Sequence, residues 1–406
     1  MADVKKVPYY KPQKGLFGSE LREYKGARGC IPLDTQSSVS IDRLAPGEKP
    51  PPPPPRPMSK PSIAPKTSAS PQPPPPADQA ITEASPTQAE SEVCKNPPPF
   101  DLQDVPIAMD NLGWKVSAKL ARIWFASAAH IYNNDPISVQ PLNLNDVTLD
   151  WTLKFGNVKR KFSNLITHDI YREAAIDLAR KKIFNRARNL FLEKRGANLS
   201  FSTGQFINDI LQFHINWQFQ YAPISDWDTL ENLTPTDLTG ALANFNIYIA
   251  IGNVEISGEK YFRYEKTSNF YCADTVAKIT HVYAYIKDNY SFNDSQYLGH
   301  WNKRGVIIAP GSLLARSSAP KRDSDIDIWV KSIKKPVDTR KSLLGKFKKS
   351  DVYFPIYNAD YSRWREKHHQ GRDFMVYSKP VHLKLKKPIE FKLGEICRLD
   401  SPDTLA

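Results

Sequence analysis

Proline is the feature that most restricts this chain. Of its 34 prolines, 19 fall between Pro46 and Pro99, in runs such as PPPPPPRP at 50 to 57 and PPPP at 73 to 76. A proline donates no backbone hydrogen bond and fixes its own φ, so such a stretch stays extended at about 3.1 Å per residue and spans on the order of 100 Å. All eight tryptophans lie beyond Phe100. The first hundred residues therefore hold too little apolar surface to offset their chain entropy. We divide the chain into a basic N-terminal arm, 1 to 45, a disordered Pro-rich linker, 46 to 99, and a globular body, 100 to 406. The arm carries turn-punctuated anchors, Tyr9, Tyr10, Leu16, Phe17 and Leu21, which suit either a tail or a segment that folds onto a partner or onto the body.

Within the body the apolar period changes along the chain. Val116, Leu120, Ile123 and Trp124 recur at helical spacing after Asp110 and Asn111. His168 to Leu192 shows the clearest helical stripe, through Ile170, Ala174, Leu178, Ile183, Ala187, Leu190 and Phe191, and Phe206 to Trp217 is helical again. Thr236 and Asp237 start a short helix that runs through Leu242. Val147 to Lys154 reads as a strand, with Leu149, Trp151 and Leu153 on one face. Beyond it, Asn246 to Ile256, Tyr261 to Tyr264 and Ile279 to Lys287 are rich in β-branched and aromatic residues. The expected class is α+β, with N-terminal helices packed on a C-terminal antiparallel β-sheet. The pattern also leaves room for a helical part, 100 to 242, and a β-rich part, 243 to 406.

The formal net charge is +13. Its densest patch, Lys331 to Lys349, places Lys331, Lys334, Lys335, Arg340, Lys341, Lys346, Lys348 and Lys349 against Asp338 alone. Phosphate is its natural counter-charge, and a solvated loop is the equally simple reading. No aromatic residues interleave there as stacking platforms, so nucleic acid is not an expected partner. Asp323, Asp325 and Asp327 alternate as on the solvent face of an edge strand, without the glycine and distant glutamate of an EF-hand. Cys30, Cys94, Cys272 and Cys397 show neither metal-ligand spacing nor a disulfide framework, and no metal or cofactor is assigned. No apolar leader follows Met1 and no run is long enough to span a bilayer. The expectation is a soluble protein, cytoplasmic where it is made, that leaves the cell, if at all, without a cleaved Sec signal.

Two stretches hold candidate chemistry. DNYSFNDSQYLGHWNKR brings Asp288, Tyr290, Asp294, His300 and Arg304 into one polar loop. A carboxylate, an imidazole and a cation suffice for general acid and base work on a phosphoester; self-satisfied Asp and Asn side chains of a strand exit are the plain alternative. The loop is similar to the Asp-x-Tyr-Asp and His-Arg elements of colicin-M-type enzymes, which cleave a lipid-linked cell-wall precursor, but Ser291 and Trp301 depart from that pattern. We assign Asp288, Tyr290, His300 and Arg304 as catalytic candidates. The second stretch, VYFPIYNADYSRWREKHHQGRDFMVYS from Val352, reads strand, helix, strand, with Asn358 or Asp360 as cap and Gln370-Gly371 as the end. Trp364 is its core residue, and Arg365, His368, His369, Arg372 and Asp373 are the binding candidates at its corner, for which an ordinary turn with a glycine C-cap is the plain alternative.

This second stretch, with KDNYSFNDSQYLGHWN from Lys287, resembles a bacterial family known as domain of unknown function 6402, over roughly Pro99 to Leu399. The resemblance implies an association with type VI secretion loci. It assigns no residue roles and no cofactor. In that setting two functions are expected. One is an antibacterial effector, hydrolytic on an envelope or phosphate-bearing substrate, with an immunity protein as partner. The other is a non-catalytic module that docks on the secretion apparatus or on an effector, with residues 1 to 45 reaching a spike or adaptor protein. There is no P-loop, Rossmann, zincin or GxSxG signature.

Overall fold

The computed structural model describes residues 9–15, 18–24, 39–45, 100–132, 142–193, 196–231, 235–265, 268–293, 296–307 and 354–399. The Pro-rich linker, the basic run at 331 to 349, the row Asp323, Asp325, Asp327, and Asp294 lie outside these residues.

Three long strands carry the architecture: β6 (Phe245–Tyr264), β7 (Asn269–Tyr290) and β12 (Val381–Leu399). β6 and β7 each outrun a single partner along one edge, so neighbours succeed one another there. β7 pairs antiparallel with β6 along one side, and along the other first with β12 and then, from Lys287 to Tyr290, with β11 (Phe374–Tyr377). β6 pairs on its outer side with β4 (Asn198–Ser202) and β5 (Gln218–Ile224). Val282 to Ile286 is buried without a break, as expected of a central strand covered on both faces. The two-residue β3 (Leu142–Asn143) adds a parallel partner to β11. A second sheet joins β10 (Phe354–Tyr357), β8 (Tyr297–Asn302) and β9 (Gly305–Ile307), and β1 (Tyr9–Gly15) forms a hairpin with β2 (Gly18–Tyr24).

The class is α+β, as expected. The proposed boundary at 242 and 243 is not a domain boundary, because β4 and β5 from the helical half pair with β6 and one apolar core runs from Val39 to Ile396. Helices α1 (Val105–Asn111), α2 (Lys115–Ala126), α3 (Leu149–Thr152), α4 (Val158–Thr167), α5 (Glu173–Glu193), α6 (Ile210–Trp217) and α7 (Asp237–Ala241) come before the long strands. α8 (Asn358–His368) returns after them. α5 lies on β12 and β5 through Ala175, Ala179, Ile183, Ala187 and Phe191, a strict every-fourth-residue stripe. The expected stripe is displaced at its start: Ala174 is exposed and Leu178 is 38% exposed, because a 3-10 turn at Asp169–Tyr171 precedes the helix and resets its phase.

Three further expectations are corrected. Val147 to Lys154 is not a strand: the Thr148 hydroxyl accepts from the Trp151 N–H at 3.2 Å, caps a helical turn, and buries Leu149 with Thr152 in place of alternate residues. Cys272 and Cys397 stand opposite each other on β7 and β12 and form a disulfide. The arm is not wholly separable either. Residues 39–45 dock on the body: Val39 is buried, Ser40 bonds the Asp101 carboxylate at 2.6 Å, and the Arg43 guanidinium pairs with buried Asp104. The backbone of this strap also takes bonds from Trp364 Nε1 at 2.9 Å and Gln103 Nε2 at 2.7 Å.

Candidate functional site

β7 ends at Tyr290 among α1, α7, β8 and α8, and these elements wall a cavity of about 240 Å³. Each wall is locally fixed. The Asp237 carboxylate, at the start of α7, accepts from the N–H groups of Val116 at 3.1 Å and Ser117 at 2.8 Å, so it caps α2 from another helix. Gly240 then lies so close to α2 that a Cβ would stand 2.8 Å from Ser117 Oγ and 2.9 Å from the Trp114 ring, which keeps that wall thin. On α8, the Asp360 carboxylate reaches back to the Tyr357 N–H at 2.7 Å, and Asn358 N–H donates to Gln296 C=O at 2.9 Å. The apolar lining comes from Met109, Trp114, Phe292, Leu298 and Trp301, and the two indoles meet edge to face at 6.3 Å.

Asp288 and Tyr290 both line this cavity, with Asn289, Asn244, Gln296 and Asn358 as the amides. Asp288 is half-buried as a residue, and protein surrounds its carboxyl closely. That desolvation pushes its pKa well above the usual carboxylate range, opposed only by a hydrogen bond from the Asn289 backbone. Burial likewise raises the Tyr290 and Tyr361 phenols, so both stay protonated at neutral pH. Asn289 Oδ1 is buried without a hydrogen-bond partner, an unfilled acceptor in the wall. No lysine, arginine or histidine lines the cavity among the described residues.

The other candidates lie elsewhere. His300 belongs to β8, where its backbone pairs with Pro355 and Ile307; its side chain lies outside the described residues. Arg304 is exposed on the β8 to β9 turn, where its N–H donates to Asn302 Oδ1 at 2.8 Å. The corner residues do not join Asp288. Arg365 Nη1 pairs with Asp373 Oδ2 at 3.0 Å and donates to the His130 carbonyl at 2.8 Å, while its guanidinium lies 5.2 Å from the Trp124 ring. Asp373 also accepts from Trp124 Nε1 at 3.0 Å and Tyr132 N–H at 3.2 Å. With Arg365 5% and Asp373 0% exposed, this is an internal tie rather than a binding rim. His368 bonds the Ile41 carbonyl of the strap at 2.8 Å, and exposed His369 ends α8 in the left-handed conformation. Arg372 is half-buried, and its N–H donates to the Trp124 carbonyl at 3.0 Å. Gly371, at φ +100°, is required here, since a Cβ would come within 2.6 Å of the Trp124 ring.

The wall residues that sequence reasoning missed are Asn289, Gln296, Asn358, Trp114 and Trp301. Amides and indoles carry no catalytic spacing, so only their convergence reveals them. The one described group with metal-ligand proximity is Cys272, Glu395 and Cys397, whose two sulfurs are bonded to each other and hold no ion as such. No described helix is long and apolar enough to cross a membrane.

In comparison with known proteins, the model of a family of unknown function (DUF6402) matches residues 100–393. No curated protein and no solved structure matches.

Proposed function

This chain belongs to the DUF6402 family of unknown function, and on that premise we propose that it is a binding module whose Asp288 cavity takes a small, uncharged, hydroxyl-rich group. The observation that carries the proposal is the lining itself. Amides, one carboxyl whose charged form burial disfavours and two indoles offer donors and acceptors beside flat apolar faces. A sugar ring presents both kinds of surface. A phosphate ester would instead bring negative charge against a buried carboxyl with no cation in the described lining to offset it. In the type VI secretion setting that the resemblance implies, the target is an envelope sugar, and within the arm, 1 to 45, the β1–β2 hairpin, which touches the body at β10, is the segment that would meet an apparatus spike or adaptor.

A hydrolytic effector is the second reading, favoured by one observation. A carboxyl whose pKa burial raises well above the usual range is suited to general acid work, and Tyr290 lies two residues away in the same wall. The substitution Asp288→Asn separates the two. Asn preserves a neutral donor and acceptor but transfers no proton. Wild type and variant would be expressed in the cytoplasm and in the periplasm of a sensitive bacterium, with cell-wall sugar binding measured on the purified chains. The binding reading expects sugar affinity within a few fold in both and no Asp288-dependent lysis. Lysis or sugar turnover that falls about 10² to 10⁴ in the variant would replace it with the effector reading.

A further inference from the structure

A second groove shares no residue with the Asp288 cavity. It measures about 840 Å³, within the range of roughly 300 to 1,000 Å³ of small-molecule sites. α4 and the 3-10 turn after it form one bank, through Phe162, Ile166 and Tyr171. β7 and β12 form the floor and the other bank, through Val282, Leu383 and Leu385.

The groove exists because β12 leaves its ladder. Lys384 pairs with His281, but the next paired residue is Ile389, opposite Ile279, so the segment between them bows away from β7. The Tyr171 hydroxyl donates to the Lys387 carbonyl and holds the bow against the helical bank. Leu385 is thereby turned inward, whereas Lys384, Lys386 and Lys387 stand exposed along the rim. None of the three lysines has an ion-pair partner among the described residues. Arg172 adds a fourth cation at the mouth, paired with Asp169 at 2.6 Å.

An apolar trough with unpaired cations along one edge matches a ligand that is apolar along its length and anionic at one end. We propose that this groove binds a single acyl chain bearing an anionic headgroup, with the chain on Phe162, Ile166, Val282 and Leu383 and the headgroup on Lys384, Lys386 and Lys387. A compact sugar or free phosphate would leave the trough unfilled. A two-chain bilayer lipid would have to leave its membrane with one chain exposed.

The full-length protein is titrated, below the micelle concentration, with 1-oleoyl lysophosphatidylglycerol, with the zwitterionic 1-oleoyl lysophosphatidylcholine, and with glycerol 3-phosphate, using tryptophan fluorescence and calorimetry. Binding of the anionic amphiphile, at least tenfold weaker binding of the zwitterionic one, and none of glycerol 3-phosphate are expected. The triple variant Lys384→Gln/Lys386→Gln/Lys387→Gln alters exposed side chains only and should keep its melting temperature. It should lose roughly a hundredfold in affinity at low salt, as removal of three charges near an anionic headgroup does, and the loss should shrink as salt rises. Ile166→Asp, on the opposite bank, should weaken both amphiphiles alike. Equal affinity for the two headgroups, full affinity in the triple variant, or no binding would overturn the proposal. So would sedimentation with anionic vesicles in the absence of monomer binding, which would assign the lysines to a membrane surface instead.

Discussion

Replacing Arg365 by alanine should destabilise this protein about as much as replacing its neighbour Trp364. Trp364 is fully buried, and truncation of a buried tryptophan costs about 3 to 5 kcal/mol. Arg365 is charged and next in sequence, so a surface role with a cost within about 0.5 kcal/mol is the ordinary expectation. The structure reverses it. With Arg365 removed, the Asp373 carboxylate at 0% exposure keeps the Trp124 and Tyr132 donors but loses its only cationic partner among the described residues. Breaking a buried pair in this way costs about 3 to 5 kcal/mol, chiefly because a desolvated charge is stranded. The His130 carbonyl also loses one of its two donors, keeping the Asp373 N–H at 2.9 Å, and Trp124 loses its stacked guanidinium. Thermal unfolding and urea denaturation read the effect, which at this size is a drop on the order of 10 °C. Arg365→Lys should recover only part of it, since an ammonium cannot serve Asp373, His130 and the indole face together. Exposed Glu366→Ala is the control. In a double-mutant cycle, Arg365→Ala and Asp373→Ala should couple by about 1 to 3 kcal/mol. A loss below about 1 kcal/mol for Arg365→Ala, with no coupling, would refute the internal tie.

Three other perturbations follow from the same geometry. A chain that begins at residue 100 lacks the strap and leaves buried Asp101 and Asp104 without Arg43, so it should be less stable than one beginning at residue 39 by about 3 to 5 kcal/mol in urea denaturation; Arg43→Ala in the full chain should do the same. The raised pKa of Asp288 means that the folded state holds its proton while the unfolded state, near 4, has lost it. Stability from this group is therefore full below about pH 4 and declines as pH rises toward the folded pKa. Asp288→Asn should accordingly be more stable than wild type at pH 7, with an advantage that fades as the pH is lowered to about 4. Finally, Cys272→Ser or reduction should lower stability by about 2 to 4 kcal/mol, read as a difference between melting curves with and without reductant, because the disulfide closes a 125-residue separation.

The fold was legible where one residue type decides one period. The strand, helix, strand order at 352 to 378 survives because Tyr361 and Trp364 fall on one buried face and Asp360 closes a capping box. β6 and β7 survive because β-branched residues alternate along them, although their lengths depend on partners that succeed one another along their edges. Val147 to Lys154 was misread because Leu149, Trp151 and Leu153 satisfy a strand period, while the Thr148 cap that settles the matter is a local hydrogen bond. Cys272 and Cys397 pair only through the register of β7 and β12, which the spacing of the two residues does not carry. At the site, Asp288 and Tyr290 were legible as polar residues at a strand exit. Arg365 and Asp373 read in sequence as binding candidates at a helix corner, whereas charges are usually exposed and these two bury each other. The amides that complete the cavity left no trace in sequence, since asparagine and glutamine are as common in loops as in sites.

Ligand-observed NMR on the full-length chain, with a panel of uncharged cell-wall sugars and matched sugar phosphates, reads occupancy of the Asp288 cavity directly. Wild type is compared with Asp288→Asn and with Ser291→Leu, which places bulk at the cavity wall. The account predicts that uncharged sugars bind wild type and Asp288→Asn, that Ser291→Leu abolishes their signal while its melting temperature holds, and that the phosphates stay silent. Phosphates that bind in preference to their uncharged counterparts, or sugars that bind Ser291→Leu as well as wild type, would contradict it.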